Sequence, residues 1–251
     1  MINYKSYVGP EENYDLMAGL MFVRMFQVGL RSYHTLLDVG CGSLRGGKLF
    51  IPYLDVGNYY GIEPLKELVI EGIKNEIGEA IIEIKRPHFV FNSEFDVSEF
   101  PLPAEGFDFI LAQSILSHTP FWQLKMAFTK LSQVLKKGGI FVATYVKGNK
   151  DYSGEKWVYP KCVTFTQDTI KLIAKEVGLH LKEMNGWFHP SGQTWIVMSN
   201  NLSSRILDLE DLDELSIRYI INENYKLKGK LEKIINFLPI KILLKIRRWF
   251  L

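Results

Sequence analysis

A glycine-rich turn directly after a short apolar segment constrains this chain more than any other feature. Residues 36–39 predict a buried strand, and Gly40 and Gly42 follow within three positions. Glycines in such a turn remove side chains where a ligand must approach the backbone. A second apolar run, residues 59–62, leads into Glu63, whose carboxylate would stand at the tip of the next strand and accept hydrogen bonds from a ribose diol. Together the two segments predict a nucleoside-binding cleft.

The glycine spacing distinguishes two classes of nucleoside cofactor. Nicotinamide dinucleotides bind loops of the pattern G-x-G-x-x-G, with an acid roughly 20 residues further on. Here Arg45 occupies the third position of that pattern, and Gly46 and Gly47 come later. A helix-borne pyrophosphate site is therefore a poor fit, and a nicotinamide-dependent oxidoreductase is the alternative enzyme class.

Several segments, taken in order, resemble one enzyme family. The glycine loop resembles motif I of the class I S-adenosylmethionine-dependent methyltransferases, and residues 107–112 resemble their fourth strand. Residues 134–142 are similar to the helix end, turn and fifth strand that follow, and residues 194–199 are expected to form a seventh strand. The resemblance implies an α/β fold with a Rossmann-like, seven-stranded, mostly parallel sheet and helices on both faces.

Hydrophobic periodicity favours the same architecture. A helix with Asn13 as its cap is predicted over residues 13–28, and Gly138 and Gly139 are expected to stop the helix that follows the fourth strand. Strands alternate with helices in between, which is typical of a parallel sheet. The predicted strands cover residues 35–39, 59–62, 88–91 and 107–112, and the predicted helices cover residues 46–54, 65–77, 121–135 and 166–177.

Length and composition indicate an ordinary globular protein. The chain has 251 residues, of which 47% are apolar and 23% charged, with a net charge of +2. We expect an N-terminal cap helix region (1–34), a methyltransferase domain (35–200) and a helical, basic C-terminal extension (201–251). Two cysteines without metal or disulfide spacing, and no cluster of metal-ligating side chains, predict a metal-independent reaction in a reducing compartment. Without a secretory signal or a long apolar run, we expect a cytoplasmic protein.

The resemblance implies S-adenosylmethionine as the cofactor and assigns residues to it. The backbone around Gly40 and Gly42 would hold the methionine moiety, with Asp38 ordering the loop, and Glu63 would hold the ribose hydroxyls. Arg45 has two open roles: it pairs with the cofactor carboxylate, or it caps the helix against a neighbouring acid.

Two further positions are assigned to the adenosine by the same resemblance. Asp96 resembles the acid that receives the adenine amino group, although Glu94 stands two residues away and is the alternative. The segment that starts at Gln113 would close over the adenosine.

Two histidines are candidates for a catalytic base. If the acceptor is a hydroxyl, a base near the sulfonium assists transfer, and histidine titrates in the useful range. His118 follows the fourth strand, and His189 lies in a turn between the last two strands. The alternative for each is a structural role, and for His118 this would be hydrogen bonding at the start of the next helix.

The acceptor is expected to be a sugar or another small molecule with a hydroxyl group, including a lipid-linked or cell-surface glycan precursor. A nucleic-acid aminomethyltransferase of this fold would carry an Asn- or Asp-Pro-Pro-aromatic run after the fourth strand. Residues 112–115 lack that run, and no DNA partner is expected. Aromatic residues in the segment 147–165 indicate either acceptor recognition or packing onto the core.

The C-terminal residues form a separate basic segment. Residues 224–251 carry eight lysines and arginines against Glu232 alone, and a helix after Pro239 would separate apolar from basic side chains. This pattern is typical of peripheral contact with the inner face of a membrane, or of a helix that packs on its own domain or on a second subunit. A non-catalytic cofactor-binding module, recruited to membrane or RNA, is the remaining alternative function.

Overall fold

The structure, a computed structural model that describes residues 3–201, is built around an eight-stranded sheet. Its strands are β1 (Leu36–Val39), β2 (Tyr59–Ile62), β3 (His88–Val90), β4 (Phe107–Ala112), β5 (Leu135–Lys147), β6 (Thr164–Phe165), β7 (His180–Met184) and β8 (Thr194–Ser199). The main path runs β3-β2-β1-β4-β5-β8-β7, and the two-residue β6 pairs with the end of β5. Strands β1 to β5 are parallel, and β8 is antiparallel to both β5 and β7. The mostly parallel α/β sheet predicted from the sequence is confirmed.

Helices cover both faces of the sheet because its central strands are buried on both sides. They are α1 (Tyr4–Tyr7), α2 (Tyr14–Gln27), α3 (Gly47–Tyr53), α4 (Lys66–Gly72), α5 (Glu79–Lys85), α6 (Phe121–Val134) and α7 (Gln167–Glu176). One core joins α6 and α7 to the sheet through residues such as Phe128 and Ile170. The other core joins α2 and α3 to the opposite face through Met21 and Phe50. None of the helices in residues 3–201 is both long enough and apolar enough to cross a membrane.

The strand order places a ligand site at one edge of the sheet. From β1 the chain proceeds outward to β2 and β3, and it then crosses back to β4 on the other side of β1. Loops that leave β1 and β4 therefore diverge, and they open a crevice at the carboxyl ends of these strands. Ligands of open parallel sheets bind at such a reversal of strand order.

Local details differ from the sequence predictions at two positions. Asn13 is the residue before α2, but its side chain makes no capping hydrogen bond, because a turn of 3₁₀ helix (Glu11–Asn13) leads directly into α2. Gly138 and Gly139 do not end α6, which ends at Val134; they lie inside β5, where the pairing with β4 is irregular. A Cβ on Gly139 would lie 3.0 Å from the carbonyl oxygen of Phe107. That glycine therefore serves close strand packing.

The predicted domain boundaries stay predictions. The cap region contains the expected helix α2, and the described part of the chain ends at residue 201. The expectations for the C-terminal extension, including its helix and its membrane contact, lie outside the described residues.

Candidate active site

A cavity of about 940 Å³ opens at the carboxyl ends of β1, β2 and β4. Seven of the residues predicted from the sequence line it: Gly40, Gly42, Arg45, Glu63, Gln113, His118 and His189. Two further segments, residues 6–13 before α2 and residues 157–162 after β5, supply additional lining residues. Its size is at the upper end of the range for ligand pockets, roughly 300 to 1,000 Å³. Within residues 3–201, no three His, Cys, Asp or Glu side chains are grouped so that they could hold a metal ion.

The glycine loop brings its backbone to the cavity surface. Gly40 and Gly42 have φ angles of +70° and +55°, which side chains disfavour. A Cβ on Gly40 would lie 2.0 Å from Cδ1 of Ile115, and a Cβ on Gly42 would lie 2.7 Å from Cγ1 of Val8. The loop is fixed to the neighbouring strand because the Gly40 N–H donates to the carbonyl of Ile62 at 2.8 Å. Both the backbone conformation and the limited space therefore require glycine.

Glu63 is a buried acceptor at the end of β2, with 7% of its surface exposed. Its two carboxylate oxygens accept the backbone N–H groups of Gly42 and Leu65, each at 3.0 Å. Burial raises the pKa of Glu63, and the two N–H groups oppose that rise. Each oxygen has a second lone pair. The carboxylate can therefore accept two more hydrogen bonds from a ligand in the cavity.

Arg45 is a buried cation without a carboxylate partner among the described residues. Its guanidinium, 8% exposed, donates to the carbonyl of Val8 at 2.7 Å and to Oε1 of Gln113. Desolvation lowers the pKa of Arg45 to about 10, so the side chain stays charged at neutral pH. Asp38 lies near enough to raise the pKa of Arg45, but no carboxylate in the described part of the chain lies within ion-pair distance of the guanidinium. Three of the five guanidinium N–H groups remain for a ligand.

Asp38 lies under the glycine loop and does not line the cavity. The carboxylate accepts a hydrogen bond from the hydroxyl of Tyr59 on β2 at 2.7 Å. Complete burial raises the pKa of Asp38 to about 6. The side chain therefore fastens β1 to β2, and its hydrogen bond does not go to the loop that it was expected to order.

The loop after β3 differs from its predicted role. Asp96 is exposed, and its carboxylate accepts the Ser98 N–H at 2.9 Å without reaching the cavity. Glu94, the alternative acid, also lies outside the lining. Asn92, Ser93 and Phe95 line the cavity instead. No pattern in the sequence marks these three residues, because the loop has neither strand nor helix periodicity.

The two candidate histidines have opposite hydrogen-bond environments. In His189, Nδ1 accepts the Ser191 N–H at 3.1 Å and Nε2 lies 3.0 Å from the amide nitrogen of Gln113. Burial, and then the charge of Arg45, lower the pKa of His189 to about 4. In His118, Nδ1 instead lies against two backbone carbonyl oxygens, those of Val158 at 2.8 Å and Lys161 at 3.0 Å.

Four aromatic residues, here called the ring cluster, surround one end of the cavity: Tyr7, His118, Trp157 and Tyr159. The His118 ring lies 5.4 Å from Trp157 and 5.2 Å from Tyr159, and Tyr7 stacks on Tyr159 at 5.5 Å. The Tyr159 hydroxyl also donates to the carbonyl of Tyr7. Tyr7 is not among the residues predicted from the sequence, because it precedes the periodic pattern of α2 and belongs to no motif.

Comparison with known proteins identifies the central part of the chain. A family model described as a methyltransferase domain matches residues 37–143, and no curated protein matches the sequence. An S-adenosylmethionine-dependent methyltransferase from Clostridium acetobutylicum is similar in structure, with 13% identity, 79% of this chain and 92% of that chain covered, and a TM-score of 0.51. Magnesium protoporphyrin IX methyltransferase from Synechocystis, with S-adenosylmethionine bound, is similar as well. It has 12% identity, 79% of this chain and 84% of that chain covered, and a TM-score of 0.54.

DesVI from Streptomyces venezuelae is also similar, with 15% identity, 78% of this chain and 95% of that chain covered, and a TM-score of 0.55. At these identities the structures support the fold, and the family match adds the sequence motifs. The glycine loop agrees with the family match, and the reversal of strand order at β1 agrees with the fold of the similar structures. Residues 37–143 thus match a methyltransferase domain, and the chain shares the fold of S-adenosylmethionine-dependent methyltransferases.

Proposed function

We propose that the protein transfers the methyl group of S-adenosylmethionine to a hydroxyl group of an uncharged sugar or other small molecule. The observation that carries the proposal is one cavity in which a buried acceptor, Glu63, and a buried cation, Arg45, both have unused hydrogen-bonding capacity. When bound, the cofactor supplies an electrophilic methyl group on a sulfonium. The protein's part is to bind, orient and exclude water.

The residues present fit this cofactor at three points. Gly40 and Gly42 line the cavity with backbone and no side chain, so a ligand can approach their peptide groups. Glu63 would accept the hydroxyls of the ribose, for which a carboxylate with free lone pairs is suited. Arg45 would hold the carboxylate of the amino acid moiety through its remaining N–H groups, because a guanidinium pairs well with a carboxylate.

The ring cluster favours an uncharged acceptor. Among the described residues that line the cavity, the charged side chains are those of Glu11, Arg45 and Glu63, and none belongs to the ring cluster. Trp157 and Tyr159 are 44% and 40% exposed, so part of each ring is available for contact with an acceptor. Apolar and aromatic walls with few polar groups are typical of small-molecule sites. A neutral ring that carries hydroxyl groups matches these walls better than a phosphorylated or carboxylated acceptor.

Two substitutions and two ligands test the cofactor assignment. Isothermal titration would compare S-adenosylmethionine with 5′-methylthioadenosine, which keeps the nucleoside and lacks the amino acid moiety. Glu63→Ala should weaken both ligands by roughly 1 to 3 kcal/mol, because charged hydrogen bonds to the ribose are lost. Arg45→Gln should weaken S-adenosylmethionine by a similar amount and leave 5′-methylthioadenosine within about twofold.

Glu67→Ala, at an exposed glutamate in the first turn of α4, is the matched control and should change neither affinity. Unchanged affinity of Glu63→Ala would contradict the ribose assignment. An equal loss of both ligands in Arg45→Gln would contradict the carboxylate assignment.

The alternative functions predict different results. A ligand that binds only the folded state raises the melting temperature, so an oxidoreductase would be stabilised by a nicotinamide dinucleotide instead of S-adenosylmethionine. A non-catalytic module would bind the cofactor without turnover. For the methyltransferase, mass spectrometry should find one added methyl group on a hydroxyl acceptor in a panel of neutral pyranosides and phenols. Transfer only to nitrogen or to phosphorylated acceptors would contradict the proposed substrate class.

A further inference from the structure

We propose that His118, and not His189, receives the proton of the acceptor hydroxyl, and that the carbonyl groups of residues 158 and 161 hold its ring in the tautomer that this role requires. The inference rests on the proposed hydroxyl acceptor. It separates two histidines that line the same cavity.

The tautomer of His118 follows from its hydrogen-bond partners. Nδ1 lies 2.8 Å from the carbonyl oxygen of Val158 and 3.0 Å from that of Lys161. Carbonyl oxygens only accept hydrogen bonds, so Nδ1 must carry the proton. In the neutral ring, Nε2 then keeps a free lone pair. No hydrogen-bond partner for Nε2 occurs among the described residues, and the ring borders the cavity.

The surroundings of His118 hold this arrangement in place. The Val158 N–H donates to the carbonyl of His118 at 2.9 Å, and the Val163 N–H donates to Ser117 at 2.7 Å, so the segment after β5 is fixed to the loop after β4. The two carbonyls on Nδ1 would also stabilise the imidazolium once Nε2 is protonated, because a carbonyl is a better partner for a cationic donor.

The titratable groups of the packed elements do not compete for the proton at neutral pH. On the segment 157–162, burial raises the pKa of Tyr159 and of Cys162, so both side chains stay protonated. Lys161 offers its backbone carbonyl to His118. From the N-terminal segment, Tyr7 faces Tyr159 with its ring.

His189 has the opposite arrangement. The backbone N–H of Ser191 donates to Nδ1 of His189. Nε2 faces a second donor, the amide nitrogen of Gln113, whose amide oxygen accepts a hydrogen bond from Arg45. The single lone pair of the neutral His189 ring is therefore engaged by one of these two donors and is not free for an acceptor. His189 is therefore a positioning residue beside the cation, in contact with Gln113.

The acceptor oxygen forms a bond to the transferred methyl carbon while the carbon–sulfur bond breaks and its electron pair stays on sulfur. The hydroxyl proton moves to Nε2 of His118, which becomes an imidazolium. Water then takes that proton, and the neutral ring returns with its proton on Nδ1.

Nuclear magnetic resonance of the full-length protein, without ligands and with ¹⁵N-labelled histidine, tests the tautomers directly. His118→Asn and His189→Asn assign the two rings by loss of their signals. We expect the neutral His118 ring to carry its proton on Nδ1 and to have an unprotonated Nε2. A proton on Nε2 of His118 would overturn the inference without bearing on cofactor binding, which the titrations measure separately.

A kinetic measurement tests the role of the free lone pair. In His118→Asn, the asparagine amide retains an N–H donor near the position of Nδ1 and lacks a base at the position of Nε2. With the neutral pyranoside or phenol that the wild-type protein methylates fastest, kcat should fall about 10²- to 10⁴-fold, the usual contribution of a general base. The cofactor Kd and the acceptor KM should stay within about threefold.

His180→Asn, on β7 and outside the cavity lining, is the matched control and should keep the wild-type kcat. A wild-type kcat in His118→Asn would contradict the proposal and would mean that His118 only holds the segment after β5 in place. A rise in KM with unchanged kcat would have the same meaning.

Discussion

At the scale of single residues, the site is made of ionisable groups whose burial opposes their charge. Desolvation raises the pKa of Asp38 and Glu63 and lowers that of Arg45 and His189. Such groups cost folding free energy and commonly mark functional sites. Here three of the four line the cavity, and the fourth, Asp38, lies directly beneath it. The loss of folding free energy from buried ionisable groups is therefore concentrated around the cavity, where a bound charged ligand would offset it.

Asp38 gives a prediction about pH and stability. Its pKa rises from 3.8 to about 6 on folding, so the folded state holds the proton more tightly than the unfolded state. The free energy of unfolding therefore falls as the pH rises through this interval, by about 3 kcal/mol for a fully buried group. Asp38→Asn does not titrate, and its amide oxygen still accepts the hydroxyl of Tyr59.

Urea unfolding at pH 4 and pH 7 checks this prediction. Ionisation of Asp38 lowers the free energy of unfolding of the wild-type protein between these pH values, and the asparagine of Asp38→Asn cannot ionise. The stability of Asp38→Asn relative to the wild type should therefore increase as the pH rises. The comparison between the two proteins removes the contribution of all other acids. The same difference at both pH values would show that folding leaves the pKa of Asp38 unchanged.

Sequence patterns predicted seven of the lining residues, and the prediction was most direct for those that immediately follow a strand. Gly40, Glu63 and Gln113 each follow the end of a short apolar strand, so the parallel sheet determines where they lie. Asp96 lies six residues beyond β3 in a loop where the backbone turns at Phe95, whose φ is +54°. Spacing alone cannot predict the direction of a side chain after such a turn.

At the scale of elements, the glycine loop shows how backbone conformation and space act together. Leu44, inside the loop, has a φ of +60° although it carries a fully buried side chain. Left-handed backbone at a bulky residue costs roughly 1 to 3 kcal/mol and persists only where the surroundings impose it. The loop conformation is therefore held by its packing as well as by its glycines.

Gly40→Ala tests this element, with Gly78→Ala as the matched control. Both glycines have positive φ, +70° and +88°, so both variants lose about 1 to 2 kcal/mol of stability through the backbone. Only at Gly40 would the new Cβ meet a neighbour, Cδ1 of Ile115 at 2.0 Å, whereas nothing lies within 4 Å at Gly78. We expect Gly40→Ala to weaken S-adenosylmethionine at least tenfold, and Gly78→Ala to leave the affinity unchanged.

Isothermal titration and thermal melting of both variants separate the two effects. An affinity that falls equally in both would assign the loss to general destabilisation. An affinity that falls in neither would mean that the loop does not approach the cofactor.

The elements that close the cavity were the hardest to predict from the sequence. The segments 6–13 and 157–162 contain no regular helix or strand long enough to show periodicity, and their positions depend on contacts between them. The sequence predicts acceptor recognition or core packing for the aromatic residues of the second segment, but their partner Tyr7 lies about 150 residues earlier in the chain. Contacts of that sequence separation leave no local signal.

At the scale of the whole molecule, the alternation of predicted strands and helices was enough to predict a parallel sheet with helices on both faces. Buried strands with flanking helices have few arrangements, because crossovers between parallel strands are right-handed and short. The additional strand β6 was not predicted, since two residues of strand carry no pattern.

The basic C-terminal segment, residues 224–251, gives a prediction for the full-length protein. If its charges bind a membrane surface, the protein should sediment with vesicles of anionic phospholipid at low salt and dissociate as the salt concentration rises. Reversing Lys241, Lys245 and Arg248 to glutamate should abolish sedimentation and leave S-adenosylmethionine affinity unchanged. Equal sedimentation of both proteins would favour a role in packing or self-association.

The position of β8 has a consequence for synthesis of the protein. This last strand lies between β5 and β7, and β7 pairs with no other strand in the described part of the chain. Until the ribosome has made residues 194–199, a large part of the 13-residue β5 presents unpaired backbone groups. Exposed strand edges of that length recruit other chains. Messages truncated shortly before this point should therefore yield nascent products that aggregate or depend on chaperones.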